Sequence, residues 1–445
     1  MKTFQHGVHP AEHKDATADS PTRRLPFAAH YVLPLAQHGG RPSKAIVTPG
    51  VRVERGDPVA EPDGFVSTTL CAPVAGTVTA VERRRHPSGA MVDAIEIAAD
   101  PWSPQRLPSR EPLDWAAMPL EEFVTQVQRA GIVGLGGAAF PSHVKYKVPE
   151  GRKLERLAVN GCECEPYLTC DHRLMVERPE AVVRGAMILG AKLGVREIVV
   201  GVEANKPDGI AALERAAKEA AGSTDGPTVD VVPLDVKYPQ GAEKMLIRAL
   251  WREEVPAGKL PLDLGVLVNN VQTMAALADW FDAGVPLIER WLTVSGPGVR
   301  EPANLVVPIG TSVRDILHHC GGLLPEAREV VLGGPMMGQP LATLDVPVLK
   351  GTSGILAFTE ARAARPTEYA CLKCGRCLEA CSNFLNPSRL ARLARAGRFD
   401  DMDRAFAMDC MECGACSWSC PSNIPIVQLI RVAKSEIRKH GKGKK

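Results

Sequence analysis

The tightest constraint on this chain is a cysteine spacing that occurs twice. "CLKCGRCLEAC" sets Cys371, Cys374, Cys377 and Cys381 at C-x2-C-x2-C-x3-C. "CMECGACSWSCP" sets Cys410, Cys413, Cys416 and Cys420 at the same spacing, with Pro421 following. In paired runs of this kind three closely spaced thiolates grip one face of a four-iron cubane, and the fourth cysteine ligates the other cluster. The spacing therefore assigns Cys371, Cys374, Cys377 and Cys420 to one [4Fe-4S] cluster, and Cys410, Cys413, Cys416 and Cys381 to a second. Zinc is the competing reading, but zinc sites use C-x2-4-C pairs or cysteine with histidine and gain nothing from two interleaved four-cysteine runs. Ser382 stands where proline would follow the first run, which loosens that turn and removes no ligand. Eight of the 13 cysteines fall in this stretch, so the cysteine usage points to metal and not to a disulfide framework.

The remaining chain must place these clusters near something that loads them. A length of 445 residues suggests roughly two to four domains of ~100–200 residues each. Residues 1–112 are rich in Pro, Gly and Val, with short strand-like runs between turns, which fits a β barrel-sandwich. It is similar to lipoyl and biotinyl carriers, but the "EPDGFVS" turn (Glu61 to Ser67) offers no lysine for modification, so an unmodified module is expected. Residues 113–285 alternate strand-like runs ("RLAVN", "EIVVGV", "TVDVVPL", "LGVLVNN") with helical stretches such as "PEAVVRGAMILGAKLG" and "PDGIAALERAAKEAAG", which argues a mostly parallel α/β layer. Residues 286–358 read as a small β-grasp module with a helix opening near Thr311 or Ser312, and residues 359–445 as a helical two-cluster domain. Between the cysteine runs Leu390, Leu393, Phe399 and Phe406 are available for packing. After them Ile426, Val427, Leu429, Ile430 and Ala433 form an apolar stripe that reads as core, and the basic tail "RKHGKGKK" reads as solvated.

One further stretch needs an explanation. In "AGIVGLGGAAFPSHVKY", Gly134, Gly136 and Ala139 satisfy G-x-G-x-x-[GA], the phosphate-loop pattern of dinucleotide folds. That pattern requires a strand before it and a helix opening inside it. Here Leu120, Phe123, Val124 and Val127 recur at helical spacing ahead of the glycines, and Pro141 follows at once. The context excludes a Rossmann turn.

With "VNGCECEPYLTCDHRLM" downstream and "GVHPAEHK" near the N-terminus, the glycine stretch resembles the flavin loop of the C subunit of Rnf (Rsx) ion-translocating electron transport complexes. It is more distantly similar to the NADH-binding flavoprotein subunit of respiratory complex I. The resemblance covers nearly the whole chain. It implies a multidomain α/β protein with barrel-sandwich, flavin/NADH layer, β-grasp module and ferredoxin-like domain. It further implies FMN, NADH as substrate, and electrons passed singly to the clusters. Carried over, Gly134, Gly136 and Gly137 let backbone approach the flavin, Phe140 stacks on a ring, and Lys145 supplies positive charge. Asn160, Glu163 and Glu165 contact flavin and nicotinamide, with Lys145 and both glutamates as the catalytic candidates; Glu203, Asn269, Asn270 and Thr273 complete the pocket. Cys162 stands where complex I has an acidic residue. Cys162, Cys164 and Cys170 match no cluster spacing and read as buried, inert thiols, while His318 and His319 read as helix surface.

The implied partners are the other subunits of a membrane complex, including an iron–sulfur subunit, together with ferredoxin. A formal net charge of +2 gives no reason to expect nucleic acid. No apolar run approaches the ~18–20 residues of a membrane span, and the N-terminus lacks the apolar core of a signal peptide. The expected place is peripheral, on the cytoplasmic face of the bacterial inner membrane. Two alternatives stand beside this reading: a soluble flavin/iron–sulfur reductase such as a corrinoid reductase, and a non-catalytic electron-relay scaffold.

Overall fold

The computed structural model describes residues 1–221, 227–360 and 366–442, with side chains as far as residue 439. Gly222 of the helical stretch, Ala364 and Arg365 ahead of the first cysteine run, and residues 443–445 of the basic tail lie outside the described residues.

The runs of β-branched residues in the middle of the chain form a four-stranded parallel sheet. Its order is Val229–Leu234, Glu197–Glu203, Arg156–Asn160, Val266–Asn270. Strand alternation sends Leu157, Val159, Ile198, Val200 and Leu267 to one face, where they pack with the helices Pro179–Leu193, Pro207–Ala221 and Val271–Ala283. Ala158, Val199, Val266 and Val268 point to the other face, against Glu243–Trp251. Both faces are covered, as a parallel sheet requires. The helix Pro179–Leu193 begins with its proline in the first turn and ends at Gly194 in the left-handed region. Gly185 lets it press on Val271–Ala283: a Cβ there would lie 1.8 Å from the Met274 carbonyl oxygen.

The N-terminal region is a sandwich. One sheet holds His30–Pro34, Met91–Ala99, Gly76–Arg85 and Arg52–Val53, and the other holds Lys44–Ala45, Pro58–Glu61 and Leu70–Cys71. Tyr31, Leu33, Val78, Ile95 and Ile97 meet Val59, Ala60 and Leu70 between them. The β-grasp region builds a mixed sheet ordered Arg23–Arg24, Ala303–Pro308, Glu289–Ser295, Gly354–Thr359, Ala327–Leu332, Gln339–Pro340. Its first strand comes from the chain's start, so the polypeptide crosses this module before it enters the sandwich. The helix Val313–His319 opens where expected, with the Ser312 hydroxyl accepting the Asp315 N–H at 3.0 Å. His318 and His319 are exposed on it.

In the C-terminal domain the helices Pro387–Arg395 and Phe399–Arg404 lie between the cysteine runs, and Ile426–Lys442 follows them. Leu390, Met402, Ile426, Val427, Ile430 and Ala433 form its core, so the apolar stripe packs inward. Leu393 and Phe399 support that core. Phe406 does not: it is 60% exposed with φ at +59°, because it ends the helix Phe399–Arg404 in a left-handed turn that swings its ring outward.

Candidate functional site

Each cysteine run is a left-handed wrap followed by one turn of helix. Lys373 and Glu412 have φ of 54° and 62°, Gly375 and Gly414 have 82° and 81°, and Phe384 and Asn423 have 54° and 53°. The helices Arg376–Glu379 and Ala415–Trp418 occupy equivalent places. The two loops therefore repeat each other residue by residue in backbone shape. Cys381, Cys410, Cys413 and Cys416 line one cavity with about 400 Å³ of space free of atoms, partly open to solvent and walled by Ala380, Leu390, Val427 and Ile430. Burial raises all four thiols above the usual range, Cys413 to about 11, and at Cys410, Cys413 and Cys416 the neighbouring thiolates add to the shift. Four sulfurs lining one apolar pocket fit a cationic iron–sulfur core. Cys377 feels Cys420 and Cys371 electrostatically, while Cys371 and Cys374 lie exposed. Lys434 donates to the Cys410 carbonyl at 2.6 Å, which brings a buried cation beside the second loop.

The glycine loop sits at the carboxyl end of the parallel sheet, where open α/β sheets bind ligands. The helix Leu120–Arg129 runs into it and the short helix Ser142–Tyr146 leaves it. The loop is held from behind. Thr273 Oγ1 accepts the Leu135 N–H at 3.0 Å, and the Arg290 guanidinium, 1% exposed, donates to the Leu135 carbonyl at 3.0 Å. Gly137 has φ of +100° with open space where a side chain would be, and Gly136 lies 3.4 Å from Asn270 Cβ by its ideal Cβ position. Lys145 donates to Glu243 at 2.5 Å and to the Val268 carbonyl at 3.0 Å. Asn269 Oδ1 accepts the Tyr146 hydroxyl at 3.1 Å, while its buried Nδ2 has no partner among the described residues. The unpartnered Asn269 amide and the open space at Gly137 fit a flavin with its many acceptor oxygens.

Other expected site residues turn out to have protein partners. Asn160 donates to the Gly241 carbonyl at 2.8 Å and accepts the Cys162 N–H at 3.1 Å. Both oxygens of Glu163 accept N–H groups at the start of the helix Cys170–Glu177, from Asp171 at 2.7 Å and His172 at 3.0 Å. The close trio Glu163, Cys170 and Asp171 is therefore a capping cluster, since Asp171 is itself held by Asn270 and Gln272 at 2.6 Å each. Burial, and then Glu163, raise Asp171 to about 6. Glu203 is buried against Lys206 at 3.1 Å. Glu165 reaches the β-grasp module, where it accepts the N–H groups of Met336 and Met337 at 2.9 Å each. Burial raises it to about 7. Phe140 is 37% exposed beside Gly39 of the sandwich. Cys162 and Cys170 are buried and Cys164 is half-buried.

Sequence reasoning missed the loop Tyr238–Glu243. It brings Gly241 to Asn160 and Glu243 to Lys145, and it buries Gln240 with neither amide atom partnered among the described residues. The available signal was "KYPQG", a Pro/Gly turn directly after a strand of the parallel sheet.

Four family models match in chain order. They are the RnfC barrel sandwich hybrid domain over residues 2–101, the Nuo51 FMN-binding domain over 127–279, the SLBB domain over 292–340 and the 4Fe-4S dicluster domain over 368–424. The C subunit of the proton-translocating ferredoxin:NAD(+) oxidoreductase complex of Clostridium ljungdahlii is 41% identical, over 100% of this chain and 96% of its own length. The chain belongs to the RnfC family, the C subunits of ion-translocating oxidoreductase complexes. The Na(+)-translocating counterpart of Acetobacterium woodii is 41% identical over 98% of this chain and 97% of its own, and that of the ion-translocating oxidoreductase complex of Rhodobacter capsulatus is 42% identical over 98% and 84%. Among solved structures, an NAD+-reducing [NiFe]-hydrogenase in the H2-reduced state aligns with TM-score 0.50 and 20% identity over 75% of this chain and 64% of that one, a likeness of fold alone. This RnfC-family chain thus combines a barrel sandwich, an FMN-binding α/β layer, an SLBB module and a dicluster domain, as the sequence led us to expect. Among the described residues no helix is long and apolar enough to cross a membrane.

Proposed function

We propose that this chain takes electrons from NADH at the α/β layer and passes them through the Cys410-run cluster to the Cys371-run cluster and then to a partner. The observation that carries this reading is the junction at Tyr238. Its hydroxyl donates to the carbonyl of Cys413 at 2.6 Å, while its own loop reaches Asn160 and Lys145. Beside it, Met336 packs against Gly414 and its N–H donates to Glu165. The glycine-loop side of the sheet and the inner cysteine loop are thus joined through packed atoms, with Val8, Cys164, Ala380 and Ala415 filling the contact.

In this reading Gly134, Gly136, Gly137, Asn269, Asn270 and Lys145 hold the flavin, and Phe140 flanks the entrance. Thr273 and Asn160 fix the loops around it. Glu163, Glu165 and Glu203 position backbone, by capping a helix, latching the SLBB loop and pairing with Lys206. A flavin held here converts a two-electron hydride donor into a source of single electrons, the form that clusters accept. The exposure of Cys371 and Cys374 supports an outer cluster open to an iron–sulfur partner or to ferredoxin. The chain then works at the cytoplasmic face of the bacterial inner membrane, held by its partners. Anaerobically purified protein should carry about eight iron atoms and bound flavin, and NADH should bleach its clusters. A flavin-free chain, or one bleached by dithionite and not by NADH, sinks the reading.

A further inference from the structure

The "GVHPAEHK" segment supplies no proposed cofactor contact and enters the electron path above only through Val8, yet it is bonded to both sides of the Tyr238 junction. It crosses the carboxyl edge of the parallel sheet. Lys2 forms a parallel bridge to Leu234, and Val8 exchanges both backbone hydrogen bonds with Tyr238 at 2.9 Å. His9 Nδ1 lies 3.1 Å from the Val236 carbonyl, and Glu12 accepts the Asn205 side chain at 2.8 Å. The Tyr167 N–H donates to the Glu12 carbonyl at 2.8 Å, and the His13 ring stacks on Tyr167 with centroids 4.9 Å apart. Lys14, 8% exposed, donates to the carbonyls of Glu163 and Leu168 at 2.7 and 2.5 Å. These contacts reach the turns that follow three different strands. Between those two bridges His6 Nδ1 lies 3.2 Å from the Leu378 carbonyl, and its ring is 4.6 Å from Phe384, both in or beside the first cysteine run.

Turns after strands have no sheet partner of their own, and they drift unless something holds them. The turn Gly161–Thr169 is also strained, with Glu163 at φ 48° and Tyr167 at φ 67°, conformations that persist only when their surroundings over-determine them. Lys14 bonds carbonyls within and near the end of that turn. Val8 fixes Tyr238, the residue whose hydroxyl meets the Cys413 loop. We infer that residues 1–14 are a positioning strap that sets the glycine-loop side of the α/β layer and the inner cysteine loop in one fixed relation, so that electron passage between them depends on a segment that touches neither cofactor. The inference rests on the electron path proposed above.

Two variants test it. Gly7 has φ of +88°, and a Cβ there would lie 2.7 Å from the Tyr238 carbonyl oxygen, so Gly7→Val lifts the strap from Tyr238. Lys14→Met keeps the length and removes the donor, with Lys14→Arg as the conservative control. Iron and flavin content, NADH-driven reduction of a soluble dye that takes electrons at the flavin, and cluster bleaching by NADH and by dithionite are compared with the parent. Amide exchange is measured in parallel. The expected result is unchanged iron and flavin, dye reduction near the parent rate, and dithionite bleaching unchanged. NADH-driven bleaching slows by about tenfold or more, as small misplacements can produce, with partial recovery in Lys14→Arg. Exchange quickens at residues 163–168 and 238–241. Parent-rate bleaching in Gly7→Val and Lys14→Met overturns the strap, and so does loss of flavin with iron intact, which would place the segment's role in the pocket. Should the parent itself fail to bleach with NADH, the electron path falls, and unchanged exchange at those two turns would then remove the strap as well.

Discussion

In the C-terminal domain three of the four proposed ligands of each cluster are close neighbours in sequence, the fourth coming from the other run, and each run carries its own backbone recipe: a left-handed residue, a left-handed glycine, one turn of helix. In the α/β layer the groups around the glycine loop come from distant segments, as when Lys145 meets Glu243 or Glu165 meets Met336. Thiolates bind iron directly, so for three ligands of each cluster the geometry is set within one short run, and the fourth is added when the two runs pack together. A flavin is held by backbone approach and scattered hydrogen bonds, so its pocket exists only after the sheet has formed. A point change in the first region should therefore remove a cofactor outright, and a change in the second should act through loops and their fastenings.

The largest effect is expected at the cysteines. Cys416→Ala removes a sulfur that is 8% exposed among four that share one cavity. Iron should fall from about eight atoms to about four or fewer, and the domain should lose much of its stability, because the remaining thiols stay crowded and uncompensated. Cys420→Ala tests the crossing: spectroscopy should show damage in the Cys371-run cluster. Damage confined to the Cys410-run cluster would mean that each run closes on itself, and the two-loop repeat would then describe two independent sites.

Gly136→Val should have the next largest effect, and it should leave iron alone. Branched carbons there would press on Asn270, which donates to Asp171 at 2.6 Å, and would enter the space beside Gly137. Flavin measured by absorbance after acid release should be largely lost while dithionite still bleaches both clusters. A flavin-replete variant reduced by NADH at the parent rate would make the glycines a structural turn only.

This contrast also explains what could be read without a fold. The cysteine runs, the strand runs of the sheet and the helix at Ser312 follow from local pattern. Phe406 escapes that reading because its apolar character says nothing of the left-handed φ that turns it out. Glu163 and Glu165 look alike in "CECEP", yet one caps the helix Cys170–Glu177 and the other fastens the SLBB loop. Only tertiary placement of residues 170–177 and 333–338 separates them. Tyr238 and Gln240 are silent in the sequence because a tyrosine and a glutamine in a turn carry no spacing signal.

The Glu165 latch gives a smaller effect with a definite sign. Burial raises its carboxyl from an ordinary 4.5 to about 7. The folded state therefore binds this proton more tightly than the unfolded chain does. Its contribution to stability is fully present below pH 4.5 and is lost as the pH rises through about 7. Denaturation at pH 5 and pH 8 should show a decline of about 1–3 kcal/mol in the parent that shrinks in Glu165→Gln. Asp171, also raised, titrates in the same direction in both proteins, so the difference between the two profiles is the quantity to read. Identical profiles would mean that Glu165 stays ionised and solvated, and that the Met336–Met337 contact does not depend on its charge.

The smallest effect should come from the cysteines of the α/β layer, and it bears most directly on the comparison. Cys162 is fully buried, its thiol 3.7 Å from the Gly201 carbonyl, and burial keeps that thiol well above its usual range. A protonated thiol in an apolar site is packing, not a ligand. Cys162→Ala should cost only about 1 kcal/mol, since it removes one small buried group, and should leave iron content, flavin content and NADH-driven bleaching at parent values. The measurement is iron per chain beside a denaturation midpoint. A fall in iron would mean that cysteines outside the two runs reach a cluster, and the division between ligands close in sequence and a pocket assembled by the fold would no longer hold for this chain.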